Sequence, residues 1–284
     1  MDRLLTGREY ASHLTDADLG LLASLSGDPA AGPALRGDPE ALLRLLEHPD
    51  LFRVVSGPGG AAPASPFLVF TAFVQCAAAE LASMDHVPER TGPRQRVPLF
   101  DAPALRAFLA APGRRLFLAE LLASFTRVAS GRYRTRAGGR TRTRRFSELD
   151  PVRLAGLLDA VPQAERPGVY RRLGDVTLFL TGVFPDYATS HALGPVDAAR
   201  LLRAAELPAS QRERLAGTPA IELWEHLGAR WYRTARDLAP AATARITVVG
   251  EVADRFQQAR RVLNHVADRY LFPGGNPWFP LPGS

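Results

Sequence analysis

The chain has 284 residues, enough for one large domain or two small ones at the usual size of roughly 100 to 200 residues per domain. Its content of 46% hydrophobic and 23% charged residues is ordinary for a folded protein and excludes a disordered or fibrous chain. All 35 basic residues are arginine, which excludes Schiff-base chemistry, pyridoxal phosphate attachment and the phosphate-binding lysine of P-loops and kinases, all of which need an amine.

Cys76 is the single cysteine, so an internal disulfide and every multi-thiolate metal site are excluded and a cytoplasmic location is expected. The start, MDRLLTGREY, has no basic segment leading into an apolar stretch, so no secretory signal is expected. The longest apolar stretch, Pro66 to Ala82, contains Gln75 and Glu80 and falls short of the about 20 clean residues a bilayer span needs. It reads as a buried helix, and no membrane contact is expected.

Charge is concentrated. Residues 127 to 145 hold eight arginines and no acid, a charge of +8 against +6 for the whole chain, so the rest is slightly acidic. The abundance of Ala, Gly, Pro and Arg reflects coding bias, but bias does not cluster charge. Residues 1 to 50 lean the other way, with nine acids against four arginines.

In chain order, Ser12 to Ser26 and Asp38 to His48 are predicted helices, because their leucines recur at helical spacing after Thr15-Asp16 and Asp38-Pro39 starts. Ser56 to Pro66 has too many Gly and Pro for regular structure and is expected to be a loop. Pro66 opens a helix with Ser65 as cap, and Phe67, Phe70, Phe73, Val74 and Ala77 form its apolar surface. His86 to Asp101 is a proline-broken connection, followed by helices over Ala102 to Ala110 and Gly113 to Ala129.

Beyond the arginine-rich stretch, Val152 to Val161, Arg166 to Phe184, Asp197 to Ala205, Gln211 to Leu215 and Pro219 to Leu238 are predicted helices. In the last large helix Val252, Phe256, Ala259, Leu263, Val266 and Tyr270 recur at intervals of four and three, a seam for a partner helix. The tail from Phe272 cannot be helical. It either packs back as a strap or presents Trp278, Phe279 and Leu281 to a partner groove.

The expected fold is therefore all-α, about ten helices, with one Arg-rich β-hairpin inserted near the middle. The expected organisation is a small acidic helical segment (1–55), a helical core in two parts (65–130 and 147–272) flanking the hairpin (131–146), and a Pro/Gly/aromatic tail (273–284).

Residues Gly131 to Phe146 alternate arginine with Thr or Tyr around Gly138-Gly139, a hairpin signal. Two registers are open. A two-residue turn sets Arg136 opposite Thr141 and Arg134 opposite Thr143, so each face mixes charge with neutral groups. A three-residue loop sets Arg136 against Arg140, Arg134 against Arg142 and Arg132 against Arg144, a like-charge stack that only an anion would stabilise.

The candidate anion- or partner-binding residues are Arg127, Arg132, Tyr133, Arg134, Arg136, Arg140, Arg142, Arg144 and Arg145. Their planar forks suit phosphate, with Tyr133 available for stacking. The leading expectation is a non-enzymatic binding or adaptor protein that engages nucleic acid or an acidic protein surface. Docking of the hairpin on the acidic N-terminal region, within one chain or between copies in a self-assembling protein, is the bland alternative.

No GxSxG, HExxH, GxxxxGK[ST], GxGxxG or EF-hand pattern is present, so no motif fixes a substrate, and no cofactor or metal is expected. Glu222, Glu225 and His226 are the best metal-like group, but an ordinary surface pair on a helix accounts for them. His265 with Asp268 reads as a structural histidine. A helical enzyme using Asp85, His86, Asp186 and His191 from loops is the runner-up. Cys76, inside an apolar helix, is expected to be inert.

Overall fold

The computed structural model describes residues 3–56, 64–92, 95–137, 140–190, 193–273, 275 and 277–280, with only the backbone described at 29, 90–92, 95, 135–137, 140–142 and 216. It is mainly helical with an Arg-rich hairpin, as expected, and among the described residues it has an unexpected second small antiparallel ribbon. The loop predicted at Ser56 to Pro66 lies largely outside the described residues.

Several helix starts share a local device, a capping side chain, in three cases followed by proline. Helices α1 (Arg3–Tyr10), α2 (Asp16–Ser24), α3 (Pro39–Leu46) and α4 (Leu51–Ser56) form the N-terminal part. Thr15 and Asp18 make a reciprocal capping box at α2, and Asp38 caps α3 ahead of Pro39. Asp18 is fully buried, yet its carboxylate also accepts the Ser65 amide at 2.8 Å, which ties α2 to the start of α5 (Pro66–Ala82). Ser65 caps α5 as the sequence predicts.

The connection after α5 is not irregular throughout. It forms a ribbon, β1 (Val87–Gly92) with β2 (Gln95–Leu99), in which Pro88 pairs with Pro98. Proline is tolerated because each strand of a two-stranded ribbon has a free edge. Helices α6 (Ala102–Leu109) and α7 (Pro112–Ser124) lead to the second ribbon, β3 (Ser130–Ala137) and β4 (Arg140–Ser147).

Asp150 caps α8 (Pro151–Ala155), and α9 (Arg166–Val183) follows after two short 3-10 turns. Then come α10 (Pro185–Ser190), α11 (Pro195–Ala204), α12 (Ala209–Ala216) and α13 (Ala220–Asp237). The long C-terminal helix of the sequence reading is two helices, α14 (Ala244–Asp254) and α15 (Phe256–Val266), broken at Arg255, whose φ of −128° and ψ of 37° leave the helical region. Of the seam residues, Val252, Phe256, Ala259, Leu263 and Val266 are buried nonetheless, and Tyr270 is half-buried.

The centre of the molecule is α9 packed antiparallel on α13, with α15 across the C-terminal half of α9. Close approach depends on glycine: a β-carbon on Gly174 would lie 2.4 Å from the Tyr232 ring, on Gly228 2.3 Å from Phe256, and on Gly182 2.7 Å from Leu263. Buried hydroxyls of Thr177 and Thr181 donate to carbonyls one turn back, and Asn264 Nδ2 donates to the Thr181 and Gly182 carbonyls, which relieves the C-terminal end of α9.

Several charged groups of this core are paired. The Tyr232 hydroxyl donates to Asp175 Oδ1 at 2.8 Å, Arg171 lies beside the other oxygen, and Glu120 joins Arg171 to Arg245. Arg260, 3% exposed, holds both Glu89 of β1 and Glu225 of α13, while Arg261 holds Asp101 and Glu89. The tail packs back as a strap: Phe279 stacks on Phe70 at 5.7 Å and meets Phe179 edge-on, and Trp278 lies against Phe70 and Phe73. Leu281 lies outside the described residues. Among the described residues no helix is long and apolar enough to cross a membrane.

Candidate anion-binding site at the hairpin

The β3–β4 register decides between the two sequence alternatives. Ala137 pairs with Arg140, leaving two residues between them, and the ladder runs Arg136 with Thr141, Arg134 with Thr143 and Tyr133 with Arg144 down to Ser130 with Ser147. Charge is thereby diluted, and Arg132 opposite Arg145 is the one arginine pair in the ladder.

The foot of the ribbon is fixed to the helices. Glu148 accepts the Ala129 amide at 3.0 Å and pairs with Arg172 of α9, whose guanidinium lies 3.9 Å above the Phe125 ring. Tyr133 and Phe146 lie on the same side of the ribbon, and the Tyr133 hydroxyl sits so close over Gly156 that a β-carbon there would be 2.4 Å from it. A β-carbon on Gly131 would be 2.8 Å from the Phe146 ring that crosses it. The tip of Tyr133 thus meets the helical body at Gly156 while the side chain stays half-buried.

Arg127, Arg132, Arg134, Arg144 and Arg145 are exposed. None has an acidic partner among the described residues, whereas most arginines of the helical body are in ion pairs. Arg136, Arg140 and Arg142 are placed by backbone register alone.

Among the described residues no carboxylate of the acidic N-terminal region pairs with a hairpin arginine of the same chain. Glu9 accepts the Ala244 and Arg245 amides at the start of α14, Glu47 binds Arg3 and Arg115, Asp16 binds Arg36 and Asp50 binds Arg53. These carboxylates satisfy helix termini and local arginines instead.

Two clefts flank the ribbon. One, of about 820 Å³, is bounded by Arg132, Arg145, Asp150, Tyr187, Asp197 and Trp224. The other, of about 490 Å³, gathers Arg144 of β4, Arg166 at the start of α9, and Arg200 and Arg203 of α11, with Asp159, Tyr170 and Glu206. Sequence reasoning missed this second group because its arginines come from distant segments; the one local sign is Arg200 and Arg203 sharing a face of α11 at i,i+3.

Glu206 has φ of 54°, the left-handed conformation that helix ends usually give to glycine. Its carboxylate accepts the Tyr170 hydroxyl at 3.0 Å. Burial, and then the carboxylate itself, push that hydroxyl up to about 12, so it remains a donor at neutral pH.

The residues of the enzymatic alternative are not gathered by these clefts. Asp85 and His86 are exposed before β1, with the His86 ring against Phe100, while Asp186 is on α10 and its neighbour Tyr187 lines the larger cleft. His191 lies outside the described residues. Glu225 is held by Arg260, and His226 Nδ1 is 2.9 Å from the Glu222 carbonyl of its own helix. His265 contacts Glu80 at 3.0 Å, the structural role expected of it, and burial lowers its pKa. Among the described residues no three His, Cys, Asp or Glu side chains converge as metal ligands. Burial, then Glu80, raise the pKa of the Cys76 thiol, which disfavours the reactive thiolate.

Comparison of the chain with protein-family models, with curated proteins and with solved structures finds no match.

Proposed function

We propose that this is a non-enzymatic binding protein that grips the phosphate backbone of nucleic acid with the β3–β4 ribbon. The observation that carries the reading is the exposed set Arg132, Arg134, Arg144 and Arg145, with no carboxylate partner among the described residues, in a protein that pairs most of its other arginines. Exposed cations on a ribbon rooted in a helical body form an electrostatic footprint, and guanidinium forks bind phosphate oxygens bidentately. Because the tip of Tyr133 meets Gly156, contact falls on phosphate more than on bases, and binding is expected to be largely independent of sequence.

Fluorescence anisotropy with labelled single- and double-stranded oligonucleotides across a salt series tests this. The comparison is with a variant carrying Arg132→Gln, Arg134→Gln and Arg145→Gln. Each lost phosphate contact on a single strand flattens the log affinity against log salt slope by about 0.7, so the variant should lose about 2. Absence of binding by the wild type at low salt would overturn the proposal, as would a variant with the same slope. Binding of an acidic polypeptide in place of oligonucleotides would move the partner to the protein class.

A further inference from the structure

We infer that the smaller cleft, between β4, α8, α9 and α11, is a separate binding site for a compact phosphate group. The inference does not depend on nucleic acid binding by the ribbon. It rests on convergence: Arg144, Arg166, Arg200 and Arg203 come from three different elements to line one cavity of about 490 Å³. Arg200 has Asp197 at 3.5 Å, but Arg144, Arg166 and Arg203 have no ion pair among the described residues.

The two acids that share the cleft do not neutralise them. Glu206 is engaged by the Tyr170 hydroxyl, and among the described residues neither Glu206 nor Asp159 forms an ion pair with any of the four arginines. Arg166 Nε is shielded from solvent and has no hydrogen-bond acceptor, a feature it shares with the Nε atoms of five other arginines; what sets Arg166 apart from Arg115, Arg172, Arg245 and Arg261 is that it also has no ion pair among the described residues. A shielded guanidinium N–H without an acceptor is unfavourable, and the exposed arginines Arg144, Arg200 and Arg203 add positive potential around the same cavity. A dianion with several oxygens relieves both.

Phosphate fits better than carboxylate for two reasons. It carries up to two charges, against three arginines (Arg144, Arg166 and Arg203) without an ion pair among the described residues, and it offers at least three acceptor oxygens to guanidinium groups approaching from different sides. The cavity has room for a phosphate with a second phosphate or a sugar attached. Glu206, held in a left-handed backbone conformation at the end of α11, keeps Tyr170 fixed at the wall. The group has two possible sources, a free phosphate compound or the terminal phosphate of a strand lying on the ribbon.

The probe is inorganic pyrophosphate, titrated calorimetrically into the wild type, into a cleft variant (Arg166→Gln with Arg203→Gln) and into a ribbon variant (Arg132→Gln with Arg134→Gln). The wild type and the ribbon variant should bind alike, and the cleft variant should bind at least about tenfold more weakly. Circular dichroism melts check that the cleft variant is folded, and Arg144→Gln gives a second, independent lesion in the same wall. A rise in the wild-type melting temperature with pyrophosphate, absent with equal ionic strength of chloride, is a readout that needs no variant.

A wild type that does not bind pyrophosphate at millimolar concentration overturns the inference, as does undiminished binding by the cleft variant. Oligonucleotides with and without a 5′-phosphate separate the sources. A preference for the phosphorylated end that the cleft variant loses identifies the strand terminus, whereas pyrophosphate binding with no such preference identifies a free phosphate compound. Pyrophosphate binding with no oligonucleotide binding at all would retire the ribbon proposal and leave this one standing.

Discussion

Changing Tyr232→Phe removes one oxygen from the centre of the core and isolates a single bond. Tyr232 is fully buried, and its hydroxyl is 2.8 Å from Asp175 Oδ1, itself 8% exposed. A hydrogen bond to a charged group contributes about 1.5–3 kcal/mol, and the ring otherwise stays in place, so a loss of about 2 kcal/mol is expected. For a chain of this size that lowers the melting temperature by about 5 °C.

The loss should depend on pH. Burial raises the Asp175 pKa above its ordinary value, against Arg171, Arg172 and the Tyr232 hydroxyl, which lower it. A raised carboxyl contributes stability that is full below about pH 4 and is lost as pH rises through its folded pKa. Tyr232 favours the ionised form, so removing its hydroxyl raises the folded pKa further and enlarges the loss on the alkaline side only. Urea denaturation followed by circular dichroism, at about pH 8 and about pH 5, should show the larger penalty at the higher pH with an unchanged m-value. Equal penalties at both, or one below about 0.5 kcal/mol, would refute the assignment of this bond as the ionised carboxylate's support.

Gly174→Ala forces a methyl to within 2.4 Å of the Tyr232 ring between α9 and α13. Overpacking of about 1–3 kcal/mol exceeds the about 1 kcal/mol of helix propensity gained, so calorimetry should show a net destabilisation. Arg260→Ala strands Glu225, about 14% exposed, and leaves Glu89 to Arg261 alone, and should cost about 3 kcal/mol in urea denaturation at neutral pH, with a smaller penalty in acid where the carboxylates protonate. Phe279→Ala unlocks the strap from Phe70, Phe179 and Phe184 and should cost about 3 kcal/mol by thermal melt; a change within error would mean that the tail does not secure α5 and α9.

The parts of the fold legible in the sequence are those set by local chemistry. Ser65-Pro66 at α5, Asp38-Pro39 at α3 and Asp150-Pro151 at α8 announce their helices, and Gly138-Gly139 between alternating runs announces β3 and β4. Features set by tertiary packing were not legible. The ribbon β1–β2 is hidden by Pro88 and Pro98, and the break at Arg255 falls inside an uninterrupted apolar seam. Helix α1, with apolar residues not confined to one face, is held by its docking on α3, α7 and α14, which sequence periodicity cannot register. At the candidate site the charge of the ribbon was visible as composition, but the anchoring of Tyr133 over Gly156 and the meeting of Arg166 with Arg203 depend on chain segments tens of residues apart.

The ribbon has a further consequence for how these molecules behave next to one another. With two strands and no third among the described residues, both outer edges of β3 and β4 expose unpaired backbone donors and acceptors, an open template for strand addition by another copy. Arginine at every second position along both edges counters this, because a second ribbon would bring a row of like charge against its own image. Neutralising those arginines to abolish ligand binding therefore also removes a barrier to edge-to-edge association, and light scattering should reveal it as growth in mass at high protein concentration. A ligand that neutralises the charge while covering the edges would leave the molecules apart.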